Sequence, residues 1–150
     1  MSMPDRPVPE TLLKLLVLTT RSYEQELNCE LSAEHPDLRP AHYAVFRYLD
    51  PAGSRITTLA EAAGMTQQSM GELITHLERH GYVERQVDPA DRRARLVVLT
   101  DSGRTTLAAA GARIVEIERR LHGTLGAEGL EELRTLLART REVLAAEELR

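Results

Sequence analysis

The segment ITTLAEAAGMTQQSMGELIT, residues 56–75, combines the residue types that a helix-turn-helix requires. Two helices that cross steeply around a tight turn need a small residue at the crossing. The turn itself favours glycine, whose φ angle is often positive. Ala60 and Gly64 meet these two requirements, while Met70 and Leu73 give the second helix an apolar stripe. The segment therefore predicts a helix-turn-helix, although an ordinary helix pair with a glycine turn shows the same pattern.

The second helix, expected at residues 66–80, leaves a polar face that its apolar stripe does not use. Amides and hydroxyls on such a face can contact base edges in the major groove, where glutamine can form two hydrogen bonds with adenine. The first turn of a recognition helix enters the groove, and its backbone N–H groups can hold a phosphate. Thr66 also fits an N-cap, and both roles can coexist. The candidate DNA-contacting residues on this helix are Thr66, Gln67, Gln68, Ser69, Glu72, Thr75 and His76.

Two short β-like runs follow at residues 82–87 and 95–99, separated by the polar segment DPADRRA at residues 88–94. This pattern predicts a hairpin with a long basic tip, and a solvated charged turn is the ordinary alternative. Arginine on a loop beyond a recognition helix can reach the minor groove, whose negative potential attracts guanidinium groups. Asp88 or Asp91 is expected to brace one of these arginines. The candidate contacts are Arg92, Arg93 and Arg95.

The composition suits a globular, mainly helical protein. Four Tyr, one Phe and no Trp among 150 residues leave the core to aliphatic side chains, which favours helix-on-helix packing. The formal net charge of −4 means that DNA binding would depend on positive charge concentrated at the contact surface. We therefore expect a modest affinity that is sensitive to salt.

Nothing in the sequence indicates an enzyme, since it contains no glycine-rich phosphate loop, no HExxH and no nucleophile elbow. No cofactor and no metal are expected. Cys29 is the single cysteine, which rules out an internal disulfide and favours the cytoplasm. The chain starts without an apolar signal-peptide core, and no apolar run reaches the length of a membrane span.

Apolar residues also recur at helical spacing towards both ends of the chain. After a proline-rich arm at residues 1–9, helices are expected at residues 9–31 and 41–49. A short strand and a short helix are expected within residues 55–64. A long helix should follow Thr100 and Asp101, which can cap it, and should be interrupted by Gly126. Three regions result: an N-terminal helix at residues 1–36, a DNA-binding domain at 37–101 and C-terminal helices at 102–150.

The long helix has a heptad spacing, because Leu107, Ile114 and Leu121 are seven residues apart. Together with the N-terminal and last helices, this provides more apolar surface than one small domain needs. A homodimer is the prediction, and a monomeric helical hairpin closing on the core is the alternative. The candidate interface residues are Leu12, Leu16, Ile114, Ile117, Leu121, Leu133 and Leu137.

Residues 57–103 resemble the MarR family of bacterial transcriptional regulators. The similarity covers the helix-turn-helix, then LERHGYVER, DPADRR and LTDSG, and more weakly LRPAHYAVFRYL at residues 38–49. It implies a winged helix-turn-helix fold with a helical dimerisation domain, and a homodimer that binds an imperfect palindrome in double-stranded DNA. It also implies that Arg93 or Arg92 enters the minor groove. Family members usually repress nearby genes, and many release DNA when a small phenolic or lipophilic ligand binds.

The resemblance places an effector pocket near the first two helices. Core packing is the ordinary alternative role of the residues there. The candidate pocket residues are Tyr23, His42, Tyr43, Phe46 and Arg47.

Three other modes of action are disfavoured. Redox sensing is disfavoured because Cys29 lies near the end of the first helix among acidic residues. Metal sensing is disfavoured by the lack of ligand spacing. A winged helix that binds protein would need an apolar or acidic outer face, which the second helix does not show.

Overall fold

The computed structural model describes residues 10–147, with side chains through residue 146. This part of the chain is mainly helical with a two-stranded antiparallel hairpin, which confirms the predicted fold class. It divides after Ala110 into two compact units. The arm expected at residues 1–9 lies outside the described residues. The elements in chain order are α1 (Leu12–Glu34), α2 (Pro40–Tyr48), α3 (Ile56–Ala63), α4 (Gln67–Arg79), β1 (Val83–Asp88), β2 (Asp91–Leu99) and α5 (Asp101–Glu147).

The helix-turn-helix consists of α3 and α4; Ala60 and Met70 are buried as predicted, whereas Leu73 is only half-buried. Gly64 has a φ of 64° and ends α3 in the left-handed conformation that the turn requires. Ala60 is 2% exposed, and Met70 in α4 is completely buried, as are the apolar residues that follow it on the same stripe, Ile74 and Leu77. A β-carbon is all that Ala60 adds to the backbone, so the two helices can approach closely.

The strand expected before α3 is not formed, and this prediction is wrong. Residue 54 makes only an isolated bridge, in which Ser54 and Val97 exchange two backbone hydrogen bonds of 3.0 and 2.8 Å. Arg55 then precedes the first residue of α3 in extended conformation. Pairing stops after this one bridge because the helix α3 begins at Ile56, so the backbone leaves the hairpin.

The hairpin of β1 and β2, called the wing below, is regularly paired over the two predicted strands. Val83 pairs with Leu99, and the ladder runs without a break to Val87 opposite Arg95. The register then shifts, because Asp88 pairs with Asp91 and leaves residues 92–94 without a partner in β1. The segment predicted as a basic tip is therefore a two-residue turn after Asp88 followed by a bulge of β2 that contains Arg92 and Arg93.

The start of α5 packs tightly against the base of the wing. Thr100 caps the helix as predicted, since its Oγ1 accepts a hydrogen bond of 3.1 Å from the backbone N–H of Gly103. The same hydroxyl donates to the carbonyl oxygen of Gly81 at 2.6 Å. A β-carbon placed on Gly103 would lie 2.0 Å from the carbonyl oxygen of Tyr82, so only glycine fits this position.

The second unit, described from Gly111 to residue 147, is formed by the rest of α5. Gly126 interrupts the helix as predicted, with a φ of 76° and a ψ of 166°. Arg134 Nη2, after this break, donates to Glu118 Oε2, before it, at 2.5 Å. The two helical segments of this unit therefore lie side by side.

The candidate interface residues differ widely in exposure. Ile117 is 4% exposed, so its side chain is already buried in the single chain, and its expected place in an open interface is corrected. A helical repeat does not distinguish a seam buried inside one chain from a seam between two. Leu16, Ile114 and Leu121 are half-buried. The exposed candidates are Leu12 at 60%, Leu133 at 40% and Leu137 at 42%.

Candidate nucleic-acid interface

The first turn of α4 carries four of the predicted contact residues, all of them exposed. Thr66 is the N-cap, because its Oγ1 accepts a 3.1 Å hydrogen bond from the backbone N–H of Ser69. The same hydroxyl donates to Ser69 Oγ at 2.9 Å. The side chains of Gln67 and Gln68 form no hydrogen bond with any other residue that the structure describes. Both amides are thus available to a ligand.

Beyond its first turn, α4 carries Thr75, whose hydroxyl is held by hydrogen bonds, and Glu72, whose carboxylate is available. Thr75 Oγ1 donates to the carbonyl oxygen of Gly71 at 2.8 Å and accepts from Arg85 Nη2 at 3.2 Å. Arg85 also forms an ion pair of 3.0 Å with Glu78. Glu72 is exposed and has no ion pair within residues 10–147. Sequence spacing does not reveal Arg85, because it comes from a different element, β1.

His76 does not lie fully outward as expected, and its predicted placement is corrected. Its ring stacks on that of His42 in α2 with centroids 4.2 Å apart, and it lies tilted by 31° against the ring of His80 at the same centroid distance. Its Nε2 lies 2.7 Å from the carbonyl oxygen of Asp37. Since a carbonyl only accepts, Nε2 carries the hydrogen and donates it. The ring therefore connects α4 to the segment before α2.

An open groove of about 510 Å³ runs along the outer side of α4 beside β1. It contains two arginines that were not among the predicted contacts. Guanidinium groups at such a groove suit phosphate oxygens. The side chains that line it include Gln68, Glu72, Thr75, His76, Arg79 and Arg85.

The three predicted wing arginines are all exposed; Arg92 and Arg93 lie in the bulge of β2, and Arg95 pairs with Val87. Asp91 Oδ1 accepts a 3.0 Å hydrogen bond from the backbone N–H of Arg93, which orders the start of β2. The guanidinium groups of Arg92, Arg93 and Arg95 form no ion pair in the described chain. Their positive charges are available to an anionic partner.

Of the two aspartates expected to brace a wing arginine, Asp91 binds the backbone of Arg93, whereas Asp88 binds Arg55 instead. Asp88 Oδ2 accepts hydrogen bonds from Arg55 Nε at 2.8 Å and Arg55 Nη2 at 2.6 Å. Its Oδ1 accepts from the backbone N–H of Ala90 at 2.9 Å. The Ala90 N–H and the Arg55 guanidinium hold the pKa of the Asp88 carboxyl below its usual value. No local sequence signal predicts Arg55 as the partner, because it lies 33 residues away.

The five candidate effector residues form two groups. Tyr43 and Phe46, both buried in α2, meet edge to face at 6.1 Å, beside the buried His42. Arg47 is exposed and lies 3.8 Å from Glu24 of α1; Tyr23 is half-buried. The Tyr43 hydroxyl is buried without a hydrogen-bond partner among the described residues, and burial raises its pKa to about 12. A buried hydroxyl with unused hydrogen-bonding capacity calls for a partner.

His42 makes folding stability depend on pH. Its Nδ1 accepts a 2.9 Å hydrogen bond from the backbone N–H of Arg39, so the ring is neutral at that nitrogen. Burial, followed by the nearby imidazole of His76, lowers the pKa of His42 from 6.5 to about 4. Between these values the unfolded chain takes up a proton that the folded chain does not. We expect the free energy of unfolding to fall by roughly 2 kcal/mol between about pH 7.5 and about pH 5.

Urea denaturation at several pH values measures this loss, and the control is His42→Asn. The asparagine Oδ1 can accept the same hydrogen bond from Arg39 but does not titrate. The variant should lose less stability than the wild type over that pH range. Equal losses in both proteins would show that His42 is not responsible.

Cys29 and the possible metal ligands bear on the alternatives of redox and metal sensing. Cys29 is exposed on α1. Within residues 10–147, no three or more His, Cys, Asp or Glu side chains are placed to hold a metal ion. None of the helices in that range combines the length and apolarity needed to cross a lipid bilayer.

Comparison with known proteins places this arrangement among transcriptional regulators. The model of the MarR family matches residues 37–94, which include the helix-turn-helix and most of the wing. The transcriptional regulator HosA of Escherichia coli O111:H- is 36% identical over 112 residues, covering 74% of this chain and 83% of HosA.

Solved structures give the same result at the level of the fold. The transcriptional repressor CouR, bound to a 23-mer DNA duplex, is 28% identical with a TM-score of 0.75, over 94% of this chain and 99% of CouR. MarR itself has a TM-score of 0.77 over 98% of each chain; its identity of 23% supports the fold alone. The chain belongs to the MarR family of winged helix-turn-helix transcriptional regulators.

Proposed function

We propose that this regulator is a homodimeric repressor that binds a palindromic operator and is released by a small phenolic or lipophilic ligand. In this proposal α4 enters the major groove of each half-site, and the wing of each protomer lies over the adjacent minor groove. Two protomers related by a two-fold axis would contact half-sites about 34–36 Å apart, or a multiple of that distance.

One observation carries the DNA-binding part of the proposal. Available polar side chains on α4 and available arginines on β2 belong to the same compact unit, and both sets are exposed. Amides such as that of Gln68 suit base edges in the major groove, whereas guanidinium groups suit the negative potential of the minor groove. An acidic chain that binds DNA needs such a local concentration of positive charge. The DNA duplex bound by CouR supports the same assignment.

The homodimer is supported by exposed apolar side chains in both units. On α1, Leu12 and Leu13 are 60% and 72% exposed; on α5, Val143 and Leu144 are 63% and 60% exposed. Exposed apolar surface of this extent usually marks a protein interface. A second copy of the chain would cover it and would supply the second α4 that a palindrome requires.

Ligand release is supported by the orphaned hydroxyl of Tyr43. A phenol or carboxylate entering beside α2 would provide the missing hydrogen-bond partner, and Phe46 would contact its apolar part. Since His42 in α2 stacks on His76 in α4, a ligand that shifts α2 would also shift the recognition helix. Tyr23, His42, Tyr43, Phe46 and Arg47 are proposed as the residues near this ligand.

Fluorescence anisotropy against the DNA upstream of the protein's own gene tests the function, with a scrambled duplex of equal length as control. We expect tighter binding to the upstream duplex and a negative slope of log affinity against log salt. Replacing Arg92 and Arg93 together by alanine should weaken binding about 10-fold to 100-fold and make the salt slope shallower. Circular dichroism should show an unchanged fold, because both side chains are exposed.

Three results would contradict parts of the proposal. An unchanged affinity in the double alanine variant would remove the wing from DNA contact. Equal binding to both duplexes would contradict sequence-specific recognition of this region. Absence of binding even at low salt would favour the alternative of a winged helix that binds protein.

A further inference from the structure

The turn end of the wing is joined to the residue before α3 by one ion pair, the wing-turn pair of Arg55 and Asp88. Two guanidinium nitrogens of Arg55 donate to the same carboxylate oxygen, at 2.8 and 2.6 Å. Asp88 is 6% exposed, although it lies at the end of β1 on a hairpin whose neighbouring residues are exposed. A charge-assisted contact with two donors has a more defined geometry than a single surface ion pair.

The same carboxylate also orders the turn of the wing. Asp88 Oδ1 accepts a hydrogen bond from the backbone N–H of Ala90 in the turn, while Oδ2 accepts from Arg55. One carboxylate therefore holds both the turn and Arg55. Nearby, Ser54 exchanges two backbone hydrogen bonds with Val97 of β2. The segment just before α3 thus holds the wing at two points, one on each strand.

This connection helps to hold the wing relative to α4, together with Arg85 of β1, which binds Thr75 and Glu78 of α4 directly. A two-stranded hairpin is only marginally stable by itself, so its direction depends on what holds it. Arg55 directly precedes α3, and α3 packs on α4 through the buried Leu59 and Ala60. A rigid path therefore runs from the wing turn through α3 to the recognition helix.

We propose that the wing-turn pair positions the wing arginines relative to the recognition helix, so that both engage one DNA duplex without further ordering. This inference rests on the proposed DNA-binding function. Arg55 acts here through Arg92 and Arg93, as a positioning residue, and does not itself contact DNA. Without the pair, the wing must be ordered during binding, and the effective concentration of its arginines at the minor groove falls.

The test measures anisotropy against the upstream duplex for Arg55→Met and for Asp88→Asn. Each variant should lose about tenfold in affinity, with a salt slope close to that of the variant lacking Arg92 and Arg93. Adding Arg93→Ala to Arg55→Met should cost less than Arg93→Ala costs in the wild type, because the wing is already displaced. Arg55→Lys should recover part of the affinity.

Arg134→Met is the matched control, since it removes one arginine and its ion pair with Glu118, both in the second compact unit, which does not contain the wing. It should leave the affinity close to that of the wild type. If Arg55 instead contacts a phosphate directly, Arg55→Met will weaken binding but Asp88→Asn will not, and the two effects of Arg55→Met and Arg93→Ala will add. Either result overturns the inference.

Three further outcomes separate this inference from the proposed function. If Arg55→Met and Asp88→Asn lower only the melting temperature, and bind DNA normally when measured well below it, the pair is merely structural and the inference is wrong. If the wild type binds neither duplex, the inference falls together with the proposed function. If Arg93→Ala weakens DNA binding but Arg55→Met does not, the inference is wrong while the proposed function stands.

Discussion

Replacing Gly103 by alanine is expected to destabilise the protein by about 3 kcal/mol or more. The added β-carbon would lie 2.0 Å from the carbonyl oxygen of Tyr82 and 3.0 Å from Cδ2 of Leu99. The first contact is with backbone, which cannot rotate away as a side chain could. That carbonyl also accepts a hydrogen bond from the backbone N–H of Thr100, so moving it would disturb the start of α5. The higher helix propensity of alanine, about 1 kcal/mol, does not offset this cost.

The matched control is Gly111→Ala in the same helix, where a β-carbon would meet no atom within 4 Å. There the alanine should stabilise the protein by roughly 0.5–1 kcal/mol. Thermal unfolding followed by circular dichroism should show a melting temperature lower by about 6 °C or more for Gly103→Ala and slightly higher for Gly111→Ala. If both variants melted like the wild type, the close approach of α5 to Tyr82 would be disproved.

Replacing both Leu133 and Leu137 by aspartate, on the exposed apolar stripe of α5, is expected to weaken the proposed dimer strongly. Leu133 and Leu137 are 40% and 42% exposed and lie one helical turn apart. In the proposed dimer their replacement by aspartate would bury unpaired negative charges, each of which costs several kcal/mol. The dimer dissociation constant should rise on the order of 100-fold or more. Operator affinity should fall as well, because a monomer contacts only one half-site.

Sedimentation velocity over a range of protein concentrations measures this effect. Thr135→Asp is the control, since residue 135 is exposed on the opposite side of the same helix and adds the same type of charge. It should leave the dimer intact. Ile117→Asp would not serve, because Ile117 is buried within the protomer and its replacement would disrupt the single chain. A double variant that remained dimeric would exclude this stripe from the subunit interface.

The helix-turn-helix was the part most completely predicted from sequence. Its turn at Gly64, its N-cap at Thr66 and its buried Ala60 and Met70 were all expected and are all confirmed. These features act over a few residues, through φ angles, capping hydrogen bonds and helical spacing. Local requirements of this kind leave a pattern that can be recognised without knowing the rest of the fold.

The wing and the recognition helix show where local pattern is insufficient. The polar run before Arg95 predicted an irregular segment, which residues 92–94 form, but it did not predict that Asp88 and Asp91 pair and close a two-residue turn inside that run. His76 shares a helix with the candidate contact residues, but its ring stacks on His42, which is 34 positions earlier in the sequence. Whether a polar side chain on a helix faces solvent or a neighbouring helix depends on that neighbour's position.

The sequence by itself determined the helix-turn-helix, the hairpin that follows it and the membership of the family, since each rests on residue types at short, recurrent spacings. Only the tertiary structure decided that Asp88 binds Arg55, that Ile117 is buried within the protomer and that Gly103 lies against Tyr82. These contacts join residues far apart in the chain or depend on how closely two elements approach. Spacing along one segment carries no information about the distance to another, so the partners become known only when the elements have packed.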